Sequence, residues 1–170
     1  MATRPLNVLF LCTHNAARSI LAEALLNALG GGRVRAYSAG SSPRPNQQPN
    51  PLGLTALREA GIATEGLRSK SWDEFAVPGA PEMDLIITVC DSAAGEACPV
   101  WPGHPATAHW GYPDPSAGDA PDAVKLEAFR QTLQRLRARL LRLLELPLEQ
   151  LDRDTLQQRV RALAHEEGAA

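Results

Sequence analysis

Several features of other protein classes are scarce or missing in this sequence of 170 residues. It has three cysteines, an odd and small number that does not suit the disulfide framework of a secreted protein. No apolar run approaches the roughly 18 residues of a membrane-spanning helix. A net charge of −2 offers no basic field for nucleic acid. The first residues show no signal-peptide pattern, so we expect a cytoplasmic protein with neither a nucleic-acid nor a membrane partner.

The residues that are present suit one folded domain. Apolar residues make up 44% of the chain and charged residues 21%, which is ordinary for a globular protein. A chain of this length buries about 70% of its extended surface, so its core needs no disulfide or metal for stability. We predict a single domain over residues 1–170, with a C-terminal helical extension at about residues 148–166 and no cofactor or metal.

Hydrophobic periodicity predicts alternating strands and helices. The first strand, the first helix and the second strand form a βαβ unit, which is right-handed by default. The whole pattern predicts an α/β sheet flanked by helices, with ligands at the carboxyl ends of the strands. The predicted strands cover residues 7–11, 33–39, 84–89 and 107–110, and the predicted helices cover residues 16–29, 52–60, 72–75, 123–144 and 151–163.

The segment after the first strand is suited to binding an anion. Cys12 ends the strand, and five residues separate it from Arg18 at the start of a helix. The intervening peptide N–H groups can curl around an oxyanion, the helix start adds positive potential, and Arg18 supplies a planar pair of donors. The same field would lower the pKa of Cys12 and make it a nucleophile, although Cys12 could also be a buried apolar residue. The predicted oxyanion-binding residues are Cys12, Thr13, His14, Asn15, Ala16, Ala17 and Arg18.

A carboxylate lies in the proline-rich segment Tyr112-Pro113-Asp114-Pro115. Displacing an oxygen from an oxyanion requires a proton for the departing oxygen, and Asp114 is the candidate general acid. The alternative is an ordinary turn of the Asp-Pro type. His14 also has two open interpretations, since it either tunes the Cys12 thiolate or faces solvent.

These motifs resemble the low-molecular-weight tyrosine phosphatase superfamily, which includes arsenate reductases. The resemblance implies a three-layer α/β sandwich whose four-stranded parallel sheet has the flavodoxin-like order, with the cysteine loop at its topological switch point. It also implies that Asn15, Ser19 and Ser38 support that loop. The resemblance extends over nearly the whole chain and rests on residues 8–19, Tyr37-Ser38-Ala39-Gly40 and Asp114-Pro115.

Cys90 and Cys98 follow the most apolar strand, in a segment that resembles the redox segment of thioredoxin-coupled arsenate reductases. A phosphatase needs neither thiol, whereas reduction of arsenate needs two electrons. The resemblance implies that Cys12 attacks arsenate, that Cys90 then attacks Cys12, and that Cys98 attacks Cys90. Thioredoxin would reduce the resulting disulfide, with glutaredoxin as an alternative, and phosphate and sulfate would mimic arsenate.

Some relatives bind potassium beside the loop. Asn15, Glu23 and Ser38 match that site, whereas Ala63 is expected in place of its carboxylate ligand, so we expect no tight potassium binding.

Two rival functions remain open. One is a tyrosine phosphatase that hydrolyses aryl phosphates through a phosphorylated Cys12. The other is a non-enzymatic zinc site, although its spacing is looser than that of common zinc motifs. Its ligands would be Cys90, Cys98, His104 and His109.

Overall fold

The computed structural model describes residues 5–90 and 105–165. Within these ranges the strands are β1 (Leu6–Cys12), β2 (Val34–Gly40), β3 (Leu85–Thr88) and β4 (Ala106–His109). The α-helices are α1 (Arg18–Leu29), α2 (Pro51–Glu59), α3 (Asp122–Leu144) and α4 (Arg153–Leu163), and short 3₁₀ helices cover Trp72–Phe75 and Leu148–Gln150. None of the helices in these ranges combines the length and the apolar character that crossing a membrane requires.

The sheet is parallel, with the strand order β2-β1-β3-β4. The central strand β1 pairs on both sides, so that Phe10 lies opposite Ser38 on one neighbour and Ile87 on the other. Its successive side chains point to opposite faces of the sheet. Phe10 belongs to the larger apolar cluster, while Leu9 and Leu11 belong to a smaller one.

Both faces of the sheet are covered. The larger cluster includes side chains from all four α-helices, such as Leu25, Leu57, Phe129 and Val160. The smaller cluster packs the opposite face against the 3₁₀ helix Trp72–Phe75. This arrangement confirms the predicted three-layer α/β fold with a four-stranded parallel sheet.

The described C-terminal residues pack against the edge of the sheet. Helix α4 begins after Asp152, whose side chain accepts a hydrogen bond from the N–H of Thr155 at 2.8 Å. The indole N–H of Trp110 donates to the carbonyl oxygen of Val160 at 3.0 Å, just beyond β4. Helix α4 lies within the predicted extension at about 148–166, and it contributes to the same core as the sheet.

Gly40 allows the chain after β2 to pass directly beneath the turn that follows β1. A Cβ atom on Gly40 would lie 2.7 Å from the carbonyl oxygen of Thr13 and 2.9 Å from the carbonyl carbon of His14. The N–H of Ser42 then donates to the carbonyl oxygen of Thr13 at 2.8 Å. The end of β2 therefore packs against the backbone of Thr13 and His14 and helps to set the position of the turn that follows Cys12.

Candidate active site

The oxyanion loop, residues 12–18, connects the central strand to α1. Cys12 is the last residue of β1 and is buried, and Arg18 is the first residue of α1. The helix thus begins two residues later than the sequence predicted, because residues 16 and 17 belong to the loop. In the part of the chain that the structure describes, no side chain caps α1 and its first turn contains no acidic residue. The first peptide N–H groups of α1 can therefore donate to an anion.

Asn15 holds the middle of this loop. Its φ of 57° lies in the left-handed region, which Asn tolerates better than most residues. Its buried side-chain amide donates to the hydroxyl of Ser19 at 2.8 Å. Its side-chain oxygen accepts the N–H of Lys70 at 3.0 Å, and its carbonyl oxygen accepts the hydroxyl of Ser69 at 2.6 Å. The structure thus brings together Asn15 and Ser19, two of the predicted support residues.

Ser38, the third predicted support residue, donates its hydroxyl hydrogen to the carboxylate of Glu23. The ammonium of Lys70 lies 3.8 Å from the same carboxylate, and the two side chains are 8% and 15% exposed. Burial raises the pKa of Glu23 and lowers the pKa of Lys70, and in each case the charge of the partner opposes the shift. Sequence reasoning expected Ala63 here and missed Lys70, whereas Ala63 is exposed.

Arg18 connects the loop to the predicted acid. One of its terminal nitrogens donates to the carbonyl oxygen of Tyr112 at 2.9 Å, and the other lies 3.9 Å from Oδ2 of Asp114. Oδ1 of Asp114 accepts hydrogen bonds from the N–H and the hydroxyl of Ser116, at 2.9 and 2.7 Å. Asp114 is therefore part of a local turn and also presents its second oxygen towards Arg18. The hydrogen bonds to Ser116 agree with the interpretation as a turn, and the role of Asp114 as a general acid stays a prediction.

A second thiol lies against the first. The N–H of Val89 donates to the carbonyl oxygen of Leu11 at 2.9 Å, which brings Cys90 alongside the end of β1. Cys90 is buried and hydrogen-bonded to Cys12, and both residues are thiols. The Sγ atom of Cys90 also lies 3.6 Å from the hydroxyl of Thr13.

This contact overturns the predicted low pKa of Cys12. The hydrogen bond with Cys90 raises the pKa of Cys12, and burial raises it further. The charge of Arg18 and the N–H of Thr13 act in the opposite direction, as the sequence predicted, but they do not prevail. The sequence pattern of the loop contains no information about a thiol that arrives from a distant strand.

The remaining predicted residues are placed only in part. The imidazole Nδ1–H of His14 donates to the carbonyl oxygen of Ser42 at 2.9 Å. This contact does not show whether His14 tunes the Cys12 thiolate or faces solvent. Cys98 and His104 fall outside the described residues, so the third relay thiol and the rival zinc set stay predictions. Over residues 5–90 and 105–165, no three His, Cys, Asp or Glu side chains are grouped as metal ligands would be.

Comparison with known proteins decides the family. The model of a family described as low molecular weight phosphotyrosine protein phosphatase matches residues 7–158. The chain belongs to this phosphatase family.

Its curated relatives in the family include two arsenate reductases from bacilli. That of Bacillus licheniformis is 33% identical over 138 residues, which cover 81% of this chain and 94% of the relative. That of Bacillus subtilis is 32% identical over 133 residues, covering 78% and 91%.

Solved structures of family members agree with the fold. An arsenate reductase from Archaeoglobus fulgidus superposes with a TM-score of 0.62 at 29% identity and covers 82% of this chain and 99% of its own. A thioredoxin-dependent arsenate reductase from Corynebacterium glutamicum gives 0.54 at 27% identity, and the match covers 83% of this chain but spans 64% of that one. A low molecular weight protein tyrosine phosphatase from T. tengcongensis gives 0.62 at 24% identity, over 82% and 98%, which shows the shared fold.

Proposed function

We propose that this protein is a cytoplasmic arsenate reductase that converts arsenate to arsenite. The observation that carries the proposal is the buried hydrogen bond between the thiols of Cys12 and Cys90 at the oxyanion loop. Hydrolysis of a phosphate ester needs one nucleophile, whereas reduction of arsenic needs a second thiol within reach of the first. The arsenate reductases among the relatives support this function.

The first step is attack by Cys12 on bound arsenate. The peptide N–H groups of the loop and the guanidinium of Arg18 stabilise the charge on the oxyanion. The bound arsenate takes up the thiol proton of Cys12, and the resulting thiolate forms an S–As bond. The departing hydroxyl group takes a proton from Asp114 and leaves as water. The position of Asp114 supports this role, because its Oδ2 lies 3.9 Å from Arg18, the side chain that would hold the oxyanion.

The second step is the reduction itself. The sulfur of Cys90 attacks the sulfur of Cys12, and a Cys12–Cys90 disulfide forms as the S–As bond breaks. The electron pair of that bond stays on arsenic, which leaves as arsenite, while the two sulfurs are oxidised. The position of Cys90 supports this step, because its thiol is hydrogen-bonded to that of Cys12.

The third step regenerates the nucleophile. Cys98 attacks Cys90, which releases the Cys12 thiolate and leaves a Cys90–Cys98 disulfide. A dithiol protein then reduces that disulfide. We propose thioredoxin as this reductant, and the thioredoxin-dependent enzyme of C. glutamicum supports the choice.

A single-turnover experiment tests this scheme. One equivalent of arsenate is added to the reduced protein, and the disulfides are mapped without reduction. We expect Cys98→Ser to stop after one turnover with a Cys12–Cys90 disulfide, and Cys90→Ser to release no arsenite. Sustained thioredoxin-coupled turnover by both variants would exclude the relay.

The second candidate function is hydrolysis of aryl phosphates. Cys12, Arg18 and Asp114 form the set that a phosphocysteine mechanism requires, and water could resolve the intermediate without Cys90. Aryl phosphate hydrolysis should therefore survive Cys90→Ser. Strong hydrolysis by the wild type without any arsenite formation would assign the protein to this function instead.

A further inference from the structure

We propose that Lys70 is a positioning residue, whose buried ammonium is the resident cation that holds the oxyanion loop in its binding geometry. The inference rests on the proposed function for its effect on arsenate, and on the geometry alone for its effect on oxyanion binding. It predicts that a small monovalent cation can replace the Lys70 ammonium when the side chain is removed.

Ser69 and Lys70 are hydrogen-bonded both to the oxyanion loop and to the end of β2. The N–H of Lys70 donates to Oδ1 of Asn15, and the hydroxyl of Ser69 donates to the Asn15 carbonyl oxygen. The carbonyl oxygen of Lys70 accepts the N–H of Gly40 at 2.8 Å. A shift of Lys70 would therefore move Asn15, the residue that gives the loop its left-handed turn.

The side chain of Lys70 fixes this position by a second route. Its ammonium donates to the carbonyl oxygen of Arg68 at 2.8 Å and lies 3.8 Å from the carboxylate of Glu23 on α1. The same carboxylate accepts the hydroxyl of Ser38 on β2. The ion pair between Glu23 and Lys70 thus connects α1, β2 and the segment that is hydrogen-bonded to Asn15.

The environment of the pair favours a positive charge beside Glu23. Burial raises the pKa of Glu23 and so disfavours its charged form, whereas the charge of Lys70 stabilises the carboxylate. Arg68 is turned outward, where both of its terminal nitrogens bind the carboxylate of Glu74 at 3.0 and 2.6 Å. Lys70 is therefore the cation that contacts Glu23 in the described part of the chain.

Two variants of Lys70 separate charge from packing. Lys70→Ala removes the charge and leaves space beside Glu23, whereas Lys70→Met removes the charge and fills the space. Choline chloride supplies a cation too large to enter that space. In this salt we expect both variants to bind inorganic phosphate about tenfold more weakly than the wild type. The KM for arsenate should rise by a matching factor, with a smaller change in kcat. Potassium or ammonium chloride at the same ionic strength should restore phosphate binding to Lys70→Ala and not to Lys70→Met.

The controls use the other lysine and the partner carboxylate. Lys125→Ala, which changes the second lysine of the chain, and the wild type should show no dependence on the cation. Glu23→Gln should bind phosphate weakly, and added potassium or ammonium should not restore its binding. If the Lys70 variants do not fold, this variant tests whether the ion pair supports phosphate binding.

Unchanged phosphate binding in Lys70→Met would overturn the inference, as would a loss in Lys70→Ala that no cation restores. If the wild type forms no arsenite while phosphate binding follows the expected pattern, the proposed function fails and Lys70 keeps its role.

Discussion

The thiols of Cys12 and Cys90 are hydrogen-bonded to each other at the carboxyl ends of adjacent strands. Two thiols in such contact titrate as a pair, so that loss of the first proton depends on both residues. The hydrogen bond raises the pKa of Cys12, whereas the charge of Arg18 acts to lower it. The reactivity of Cys12 is thus coupled to Cys90, the residue that resolves the arsenic adduct in the proposed mechanism.

Replacing Cys90 should therefore activate Cys12. Because the hydrogen bond with Cys90 is the largest cause of the raised pKa of Cys12, Cys90→Ala should lower that pKa. The alkylation rate of Cys12 by iodoacetamide, followed against pH by mass spectrometry, should rise at a lower pH than in the wild type. Cys98→Ala serves as the control for loss of a thiol. A Cys12 profile that does not move in Cys90→Ala would contradict the coupling.

Arg18→Lys should weaken oxyanion binding strongly. A lysine supplies a point charge, whereas the guanidinium of Arg18 already uses one nitrogen on Tyr112 and extends the other towards Asp114. The inhibition constant of inorganic phosphate should rise at least about tenfold, since a charge-assisted hydrogen bond contributes roughly 1.5–3 kcal/mol. An inhibition constant equal to that of the wild type would remove Arg18 from the binding site.

Asp114→Asn should slow the acid-dependent step by about 10²–10⁴-fold while phosphate inhibition stays close to that of the wild type. The amide keeps the shape of the side chain and its contact with Ser116 but cannot supply the proton. Asp119→Asn, at an exposed position in the same region of the chain, is the matched control. Single-turnover release of arsenite measures the step. A loss below twofold would assign the proton to another group.

Gly40→Ala should displace the oxyanion loop. The added methyl group would meet the backbone of Thr13 and His14 below 3.0 Å, and a backbone atom cannot move aside as a flexible side chain does. We expect destabilisation of about 1–3 kcal/mol together with weaker phosphate binding. Ser42→Ala, two residues further on, is the control because its backbone hydrogen bond to Thr13 does not depend on the side chain. Chemical denaturation and phosphate titration measure the two effects. A Gly40→Ala protein with the same free energy of unfolding as the wild type would show that the loop accommodates the methyl group without strain.

The sequence was sufficient for those parts of the molecule that depend on local patterns. The apolar run of β1 and the helical spacing after Arg18 predicted the βαβ unit, and the five-residue gap between Cys12 and Arg18 predicted the loop. Asp114 was singled out as a candidate acid from its segment and the family resemblance, whereas its approach to Arg18 was not predicted, because no local pattern relates residues so far apart.

Contacts made across the fold could not be predicted in the same way. Lys70 lies in an irregular segment without periodicity, and its position under Asn15 depends on how that segment crosses the end of β2. The raised pKa of Cys12 likewise depends on a thiol contributed by a different strand. Burial and long-range hydrogen bonds decide both properties, and neither can be read from residue spacing.

The position of β1 in the sheet has a consequence for amide hydrogen exchange. This strand is hydrogen-bonded to neighbours on both sides, and Val8 to Leu11 are fully buried. Its amides should exchange only when the whole domain opens, whereas the exposed turn at Asp114 should exchange through local fluctuations. The proposed nucleophile should therefore lie at the end of a slowly exchanging strand, and the proposed proton donor in a faster-exchanging turn. The proposed mechanism would then combine a sulfur at the end of a rigid strand with an acid on a turn that fluctuates locally.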